Sequence, residues 1–234
     1  MHHPAFIKEQ RVDDFIRDLS APVHQQYLRD ATRLPVAGQE VDLSSGYRLE
    51  IADAQLAEAL AVSVTDIQRF LSVCMGVEAS PVGYPLRLVL GPPDACPTDA
   101  PEAYHIAISN AECRITTRDA DGARCALIHL EDEMALRRAP YLPLGEYARW
   151  AVIEDRISRS PYAPYRWLTG WELEDESDDY HADEYLNGLM HCGINGIWVA
   201  GLLRKMVASK TLPELGPATH QLDVLRRLVA KAAR

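Results

Sequence analysis

The fold is read from residues 102–134, EAYHIAISNAECRITTRDADGARCALIHLEDEM. Tyr104, Ile106 and Ile108 alternate with His105 and Ala107, and Cys113, Ile115 and Thr117 alternate in the same way. That is the two-residue period of a strand with one buried face. Ser109-Asn110-Ala111-Glu112 supplies turn residues between the two runs, so they form a hairpin. Asp119-Ala120-Asp121-Gly122 resembles the start of a calcium loop, but Ile128 stands where the bidentate Glu belongs, so it reads as a turn before a helix. The period then lengthens: Ala123, Ala126, Leu127, Leu130 and Met134 recur at helical spacing, with Arg137 and Arg138 in the last turn, where cations suit the helix dipole, before Pro140.

Upstream, Tyr47, Leu49 and Ile51 predict a strand. Asp53 is the expected N-cap of a long helix along Leu56, Leu60, Ile67 and Leu71 that closes at Gly76. Leu86, Leu88 and Leu90 predict another strand, ended by Gly91-Pro92-Pro93. The order over 41–139 is β-α-β-β-β-α, an α+β domain with helices on one face of a small sheet. Residues 1–40 read as a helical lead-in: Val12, Phe15, Ile16 and Leu19 form one stripe, and a second short helix runs through Tyr27 and Leu28 to Pro35. Residues 140–234 change texture. Trp150–Ile153 is a continuous apolar run of the kind found in a strand buried on both faces, and Ile194–Val199 is a second. Between them lie a long loop from Arg159 to Ala182 and a helix capped by Asp183, with Tyr185, Leu186, Leu189 and Met190 on one face and Gly193 at its end. A last helix carries Leu222, Leu225, Leu228, Val229 and Ala232. Two parallel strands with crossover helices cannot cover their own edges, so this part reads as an incomplete (β/α) barrel start.

The 234 residues are 47% hydrophobic and 25% charged, a composition that excludes disordered and fibrous classes. The net charge of −10 argues against a nucleic-acid partner. The acid excess is concentrated in Glu172, Glu174, Asp175, Glu176, Asp178, Asp179, Asp183 and Glu184. No apolar run approaches the roughly 20 residues of a membrane helix, and the start MHHPAFIKEQRVDDF is too polar for a secretory signal. A cytoplasmic protein without membrane contact is expected. Five scattered cysteines with no CxxC pair read as reduced thiols.

The hairpin and helix of residues 102–134, together with DEYLNGLMHCGINGIWVAGL over Asp183–Leu202, make the chain resemble the N-terminal region of glycoside hydrolase family 20 (β-N-acetylhexosaminidases) and family 67 (α-glucuronidases). The likeness covers roughly Val41 to Arg234 and is one of architecture. It implies a non-catalytic α+β domain ahead of a (β/α)₈ barrel. Such a barrel takes about 250 residues, so only its first two βα units would lie in this chain. The acidic catalytic pair that family 20 carries after its fourth barrel strand would then lie beyond Arg234, and no catalytic residue is carried over. The family's Arg-Gly opening of the first strand has no counterpart in AVIEDRISRS.

Loops after barrel strands face the active site, which makes Arg156, Arg159, Trp167 and Trp171 the candidate substrate-binding residues. Sugars offer an apolar C–H face and a hydroxyl rim, and aromatic rings with nearby Arg or carboxylate groups match both. The aromatics of this loop also suit plain packing onto the barrel. The acidic run has the residue type for a general acid and base, or for calcium, but eight neighbouring carboxylates more often form a solvated surface. His181, His191 and Cys192 are metal ligands by type, with structural roles expected, and neither cofactor nor metal is anticipated. Three functions follow. The first is the N-terminal part of a hexosaminidase- or glucuronidase-type carbohydrate-active protein with a saccharide partner, inactive by itself. The second is a non-enzymatic carbohydrate-binding or protein-interaction module completed by a partner subunit, with homo-oligomerisation through the unfinished barrel. The third is a small enzyme using the acidic loop.

Overall fold

A computed structural model describes residues 17–92, 96, 98–159, 181–199, 208–213 and 219–233. Two compact units divide it, one spanning His24–Glu154 and the other made of the residues on either side.

In the first unit, a five-stranded mixed sheet has the order β2-β3-β5-β4-β7. Its strands are β2 (Tyr47–Ile51), β3 (Tyr84–Leu90), β4 (Tyr104–Ile108), β5 (Cys113–Thr117) and β7 (Gly145–Arg149). A separate antiparallel pair joins β1 (Glu40–Asp42) to β6 (Tyr141–Pro143). β2, β3 and β5 run parallel, whereas β4 is antiparallel to both β5 and β7. The predicted hairpin is present, with Ile106 opposite Ile115. The predicted helix is α3 (Ala120–Arg137), capped by Asp119, whose carboxylate accepts a hydrogen bond from the Gly122 amide at 2.6 Å. The helix packs its Leu127, Leu130 and Met134 with Leu86, Leu88, Ile106 and Ile115 of the sheet into one buried core. The opposite face of the sheet is charged: Arg87 bridges Glu50 at 2.8 Å and Glu112 at 3.0 Å, and Arg48 and Arg114 join the same row. Such half-exposed pairs contribute little stability, but they mark that face as the solvated one.

Three expectations change in this unit. The helix after Asp53 is two helices, α1 (Ala54–Ala59) and α2 (Ala61–Arg69), separated at Leu60 and continued by a π-helical turn, Phe70–Cys74. The apolar stripe survives the break, since Leu56, Leu60, Ile67 and Leu71 are all buried. The second lead-in helix is absent, and residues 24–39 form an irregular strap. The reason lies in helix ends, whose last carbonyls lack partners within the helix. The strap supplies donors: the Leu28 and Arg29 amides bond the Cys74 carbonyl and the Asp30 amide bonds that of Arg138. The first lead-in stripe at Val12, Phe15 and Ile16 lies outside the described residues. Trp150–Ile153 is not a buried strand, because Trp150, Val152 and Ile153 are exposed. The chain instead reaches that point through β7, which covers the free edge of β4.

In the second unit, β8 (Ile157–Arg159) and β9 (Gly196–Trp198) pair in parallel through the crossover helix α4 (Asp183–His191). Asp183 occupies the first turn of α4 rather than its cap, which is Ala182, and Gly193 follows the helix with φ of 74°. The last helix, α5, is Thr219–Ala232. No helix among the described residues is long and apolar enough to cross a membrane.

The strap and the β1/β6 pair meet at Glu40, whose side chain is 8% exposed. Arg33 grips both of its oxygens, at 2.8 and 3.1 Å, while the Val36 amide and Arg137 Nε each donate at 3.0 Å. The Arg33 hydrogen bonds, aided by those other donors, overcome the effect of burial and push the carboxyl down from 4.5 to about 2. A depressed carboxyl stabilises the fold above its unfolded value and loses that contribution as pH falls through its folded value. Glu40→Gln should therefore lower stability at pH 7 by about 2 kcal/mol, a figure discounted for the partly exposed guanidiniums. Urea unfolding across the acid range should show that difference shrinking below pH 4.5 and vanishing near pH 2. A difference independent of pH would exclude the carboxylate clamp as its cause.

Candidate functional site

The parallel register of β8 and β9 places Arg159 directly opposite Trp198, so both carboxyl ends stop at the same level. The Arg159 guanidinium lies 5.1 Å from the centroid of the Trp198 indole. That distance is within cation–π range, and the contact orients both side chains without covering them. Trp198 remains 50% exposed, so part of its ring is free to take the C–H face of a sugar while Arg159 offers donors to hydroxyl or carboxylate oxygens. In parallel α/β arrangements the carboxyl ends of strands are where ligands bind.

Arg156 sits at the other end. Its amide donates to Asn195 Oδ1 at 2.9 Å, its Nε donates to the Gly193 carbonyl, and the Asn195 amide donates back to the Arg156 carbonyl at 3.1 Å. These bonds hold the amino ends of the two strands together, a positioning task separate from the Arg159 end. Trp167 and Trp171 lie outside the described residues, as does the acidic run up to Asp179. Its last two members, Asp183 and Glu184, occupy the first turn of α4, where negative charge suits the helix dipole. His181 is buried and its ring faces Tyr185 at 6.4 Å, while Cys192 is exposed. The apolar neighbours of Trp198 suggest a strand covered on both faces, so its sequence context does not mark it as a site residue. The usable signal was its equivalent place to Arg159, at the end of the next strand.

Cys74, Cys96 and Cys113 of the first unit are not prepared nucleophiles. Burial pushes the Cys113 thiol up to about 12 and raises Cys74 and Cys96, so none is a thiolate near neutrality. Burial also lowers the pKa of His129, which packs between Tyr104 and Tyr147. His24 behaves differently. Its Nε2 lies 3.1 Å from Glu131 Oε2 and 3.3 Å from Asp66 Oδ1, and its ring meets Phe70 edge-on at 5.3 Å. Burial opposes its charged form, yet the hydrogen bonds and charges of Asp66 and Glu131 prevail and push it up to about 9.

No protein-family model matches the chain, and no curated protein matches it in sequence. Solved structures do match. The β-N-acetylhexosaminidase from Bacteroides fragilis NCTC 9343 is similar with a TM-score of 0.52 and 13% identity, over 89% of this chain and 43% of that one. A family 138 glycoside hydrolase targeting pectin rhamnogalacturonan II is similar with the same TM-score and identity, over 80% of this chain and 29% of that one. At this identity the likeness is one of fold. The chain has an α+β fold shared with parts of glycoside hydrolases, and it spans less than half the length of either of them.

Proposed function

We propose that this chain is the N-terminal part of a carbohydrate-active protein of glycoside hydrolase type, in which the segment after Asp155 begins a (β/α) barrel and the catalytic carboxylates lie beyond residue 234. The observation that carries the reading is Arg159 set against the half-exposed ring of Trp198 at the carboxyl ends of a parallel strand pair. A stacking ring and a fixed guanidinium are what a pyranose needs, and the guanidinium favours a uronate or an acetamido sugar over an unsubstituted one. The fold likeness to glycoside hydrolases agrees with this reading.

Calorimetric titration of the purified chain with chito-oligosaccharides and glucuronate-containing oligosaccharides tests it. Weak, saturable binding is expected, reduced about tenfold or more in Trp198→Ala and Arg159→Ala, the scale of one lost stacking or charge-assisted contact. Equal binding by the wild type and both variants would remove this edge as the sugar site. The chain is also expected to leave aryl glycosides intact. Turnover by the 234 residues alone would place the catalytic carboxylates inside them.

A further inference from the structure

His24, Asp66 and Glu131 come from three separate parts of the first unit: the strap, α2 and α3. Each offers a metal-ligand atom, and those atoms lie within 4.8 Å of one another. The setting is dry, with side chains of His24 and Glu131 exposed by only 7% and 4% and that of Asp66 by 12%. Two carboxylates in such a place repel each other unless a cation sits between them.

His24 Nε2 carries one hydrogen at most, while both carboxylate oxygens approach that same nitrogen, at 3.1 and 3.3 Å. Charge-assisted N–H···O bonds are usually shorter, about 2.7–2.9 Å. Donors placed about 2.0–2.1 Å from a tetrahedral zinc ion are separated from each other by roughly 3.3 Å, close to the two distances from His24 to the carboxylates.

The surroundings hold the ligands in place. Phe70 stands edge-on to the His24 ring and fixes its plane. Phe70 also opens the π-helical turn that follows α2, one helical turn after Asp66. Such turns recur where a helix has been reshaped around a functional group.

We infer that His24, Asp66 and Glu131 form a binding site for one divalent transition-metal ion of the zinc type, which ties the strap to α2 and α3. One nitrogen and two carboxylate oxygens suit a borderline cation better than magnesium, which prefers oxygens and keeps several waters. The remaining coordination position falls to water or another donor. The inference is independent of the saccharide reading, because it concerns the first unit and a structural ion.

The test uses the full chain, stripped with chelator and titrated with ZnCl₂ by calorimetry, with metal content of the dialysed protein measured in parallel. One equivalent of zinc is expected to bind at micromolar or lower Kd and to raise Tm. His24→Gln, Asp66→Asn and Glu131→Gln keep side-chain volume and hydrogen bonding, and each should weaken zinc binding at least tenfold while circular dichroism shows a folded chain. No bound zinc in the wild type, or undiminished binding in all three variants, would overturn the site. Should the variants fail to fold, cobalt substitution of the wild type decides. Visible d–d bands without thiolate charge transfer support nitrogen and oxygen ligation, whereas a thiolate band or no bands at all would overturn it.

Discussion

Alanine at position 83 is expected to destabilise the protein by about 4 kcal/mol, close to the upper end for a single substitution. Gly83 stands at the turn into β3, where a Cβ would lie 2.4 Å from the Tyr47 amide nitrogen, 2.5 Å from the Gly46 carbonyl carbon and 2.6 Å from the Tyr47 Cα. All three are backbone atoms, so no side chain can rotate away. Relief requires β2 and β3 to separate at their first pair, Tyr47 opposite Tyr84. That movement strains the Tyr84 amide to Gly46 carbonyl bond of 2.9 Å, the Ser80 amide to Tyr47 carbonyl bond of 2.7 Å and the hydrogen bond from Arg48 to the Gly83 carbonyl. Denaturant unfolding of Gly83→Ala should show a much lower midpoint. Gly188→Ala is the control: the nearest atom to its Cβ is 3.9 Å away in ordinary contact, and alanine there should stabilise α4 slightly. Equal stability of Gly83→Ala and the wild type would mean that the two strands do not approach as described.

Ile115→Ala is expected to cost about 3–4 kcal/mol, the transfer loss of the side chain plus the cavity it leaves. Ile115 is fully buried in β5, the central strand. Its register partners are Leu88 on one side and Ile106 on the other, so the three make a continuous apolar row across the sheet beneath α3. Neighbours on both flanks are held by backbone ladders, which limits collapse into the gap. Ile115→Val should cost only about 1 kcal/mol, since one methyl is lost. Arg114, the adjacent residue, points to the charged face, and Arg114→Ala should change stability by less than about 1 kcal/mol. Midpoints from one urea series would check all three. A large loss in Arg114→Ala with a small one in Ile115→Ala would reverse the assignment of the two sheet faces.

These contrasts show which parts of the structure are legible from sequence. Alternation in Tyr104–Ile108 and Cys113–Thr117 and the helical stripe from Ala123 to Met134 are local patterns, and each side chain's face follows from the period of its own segment. Asp53 caps its helix as the sequence suggests, because a cap acts on amides two or three residues ahead. β7 is not legible in the sequence for the opposite reason. Gly145-Glu146-Tyr147-Ala148-Arg149 carries little apolar alternation and becomes a strand because the edge of β4 offers it hydrogen-bond partners. The strap likewise follows helix ends that are distant in sequence.

The candidate sites divide along the same line. Arg159 was found from the sequence because the carboxyl end of a parallel strand is a place the local pattern can mark, although that strand begins at Ile157 and not at Trp150. Its pairing with Trp198 depends on a strand register, which a single segment does not contain. The meeting of His24, Asp66 and Glu131 depends on three segments folding together. Sequence alone therefore determined the periodic elements, the Asp53 cap and the α+β order, since those rest on interactions within a few residues. Only tertiary structure decided the fifth strand, the strap, the exposed Trp198 beside Arg159 and the buried histidine between two carboxylates, since each is created by contacts between segments far apart in the chain.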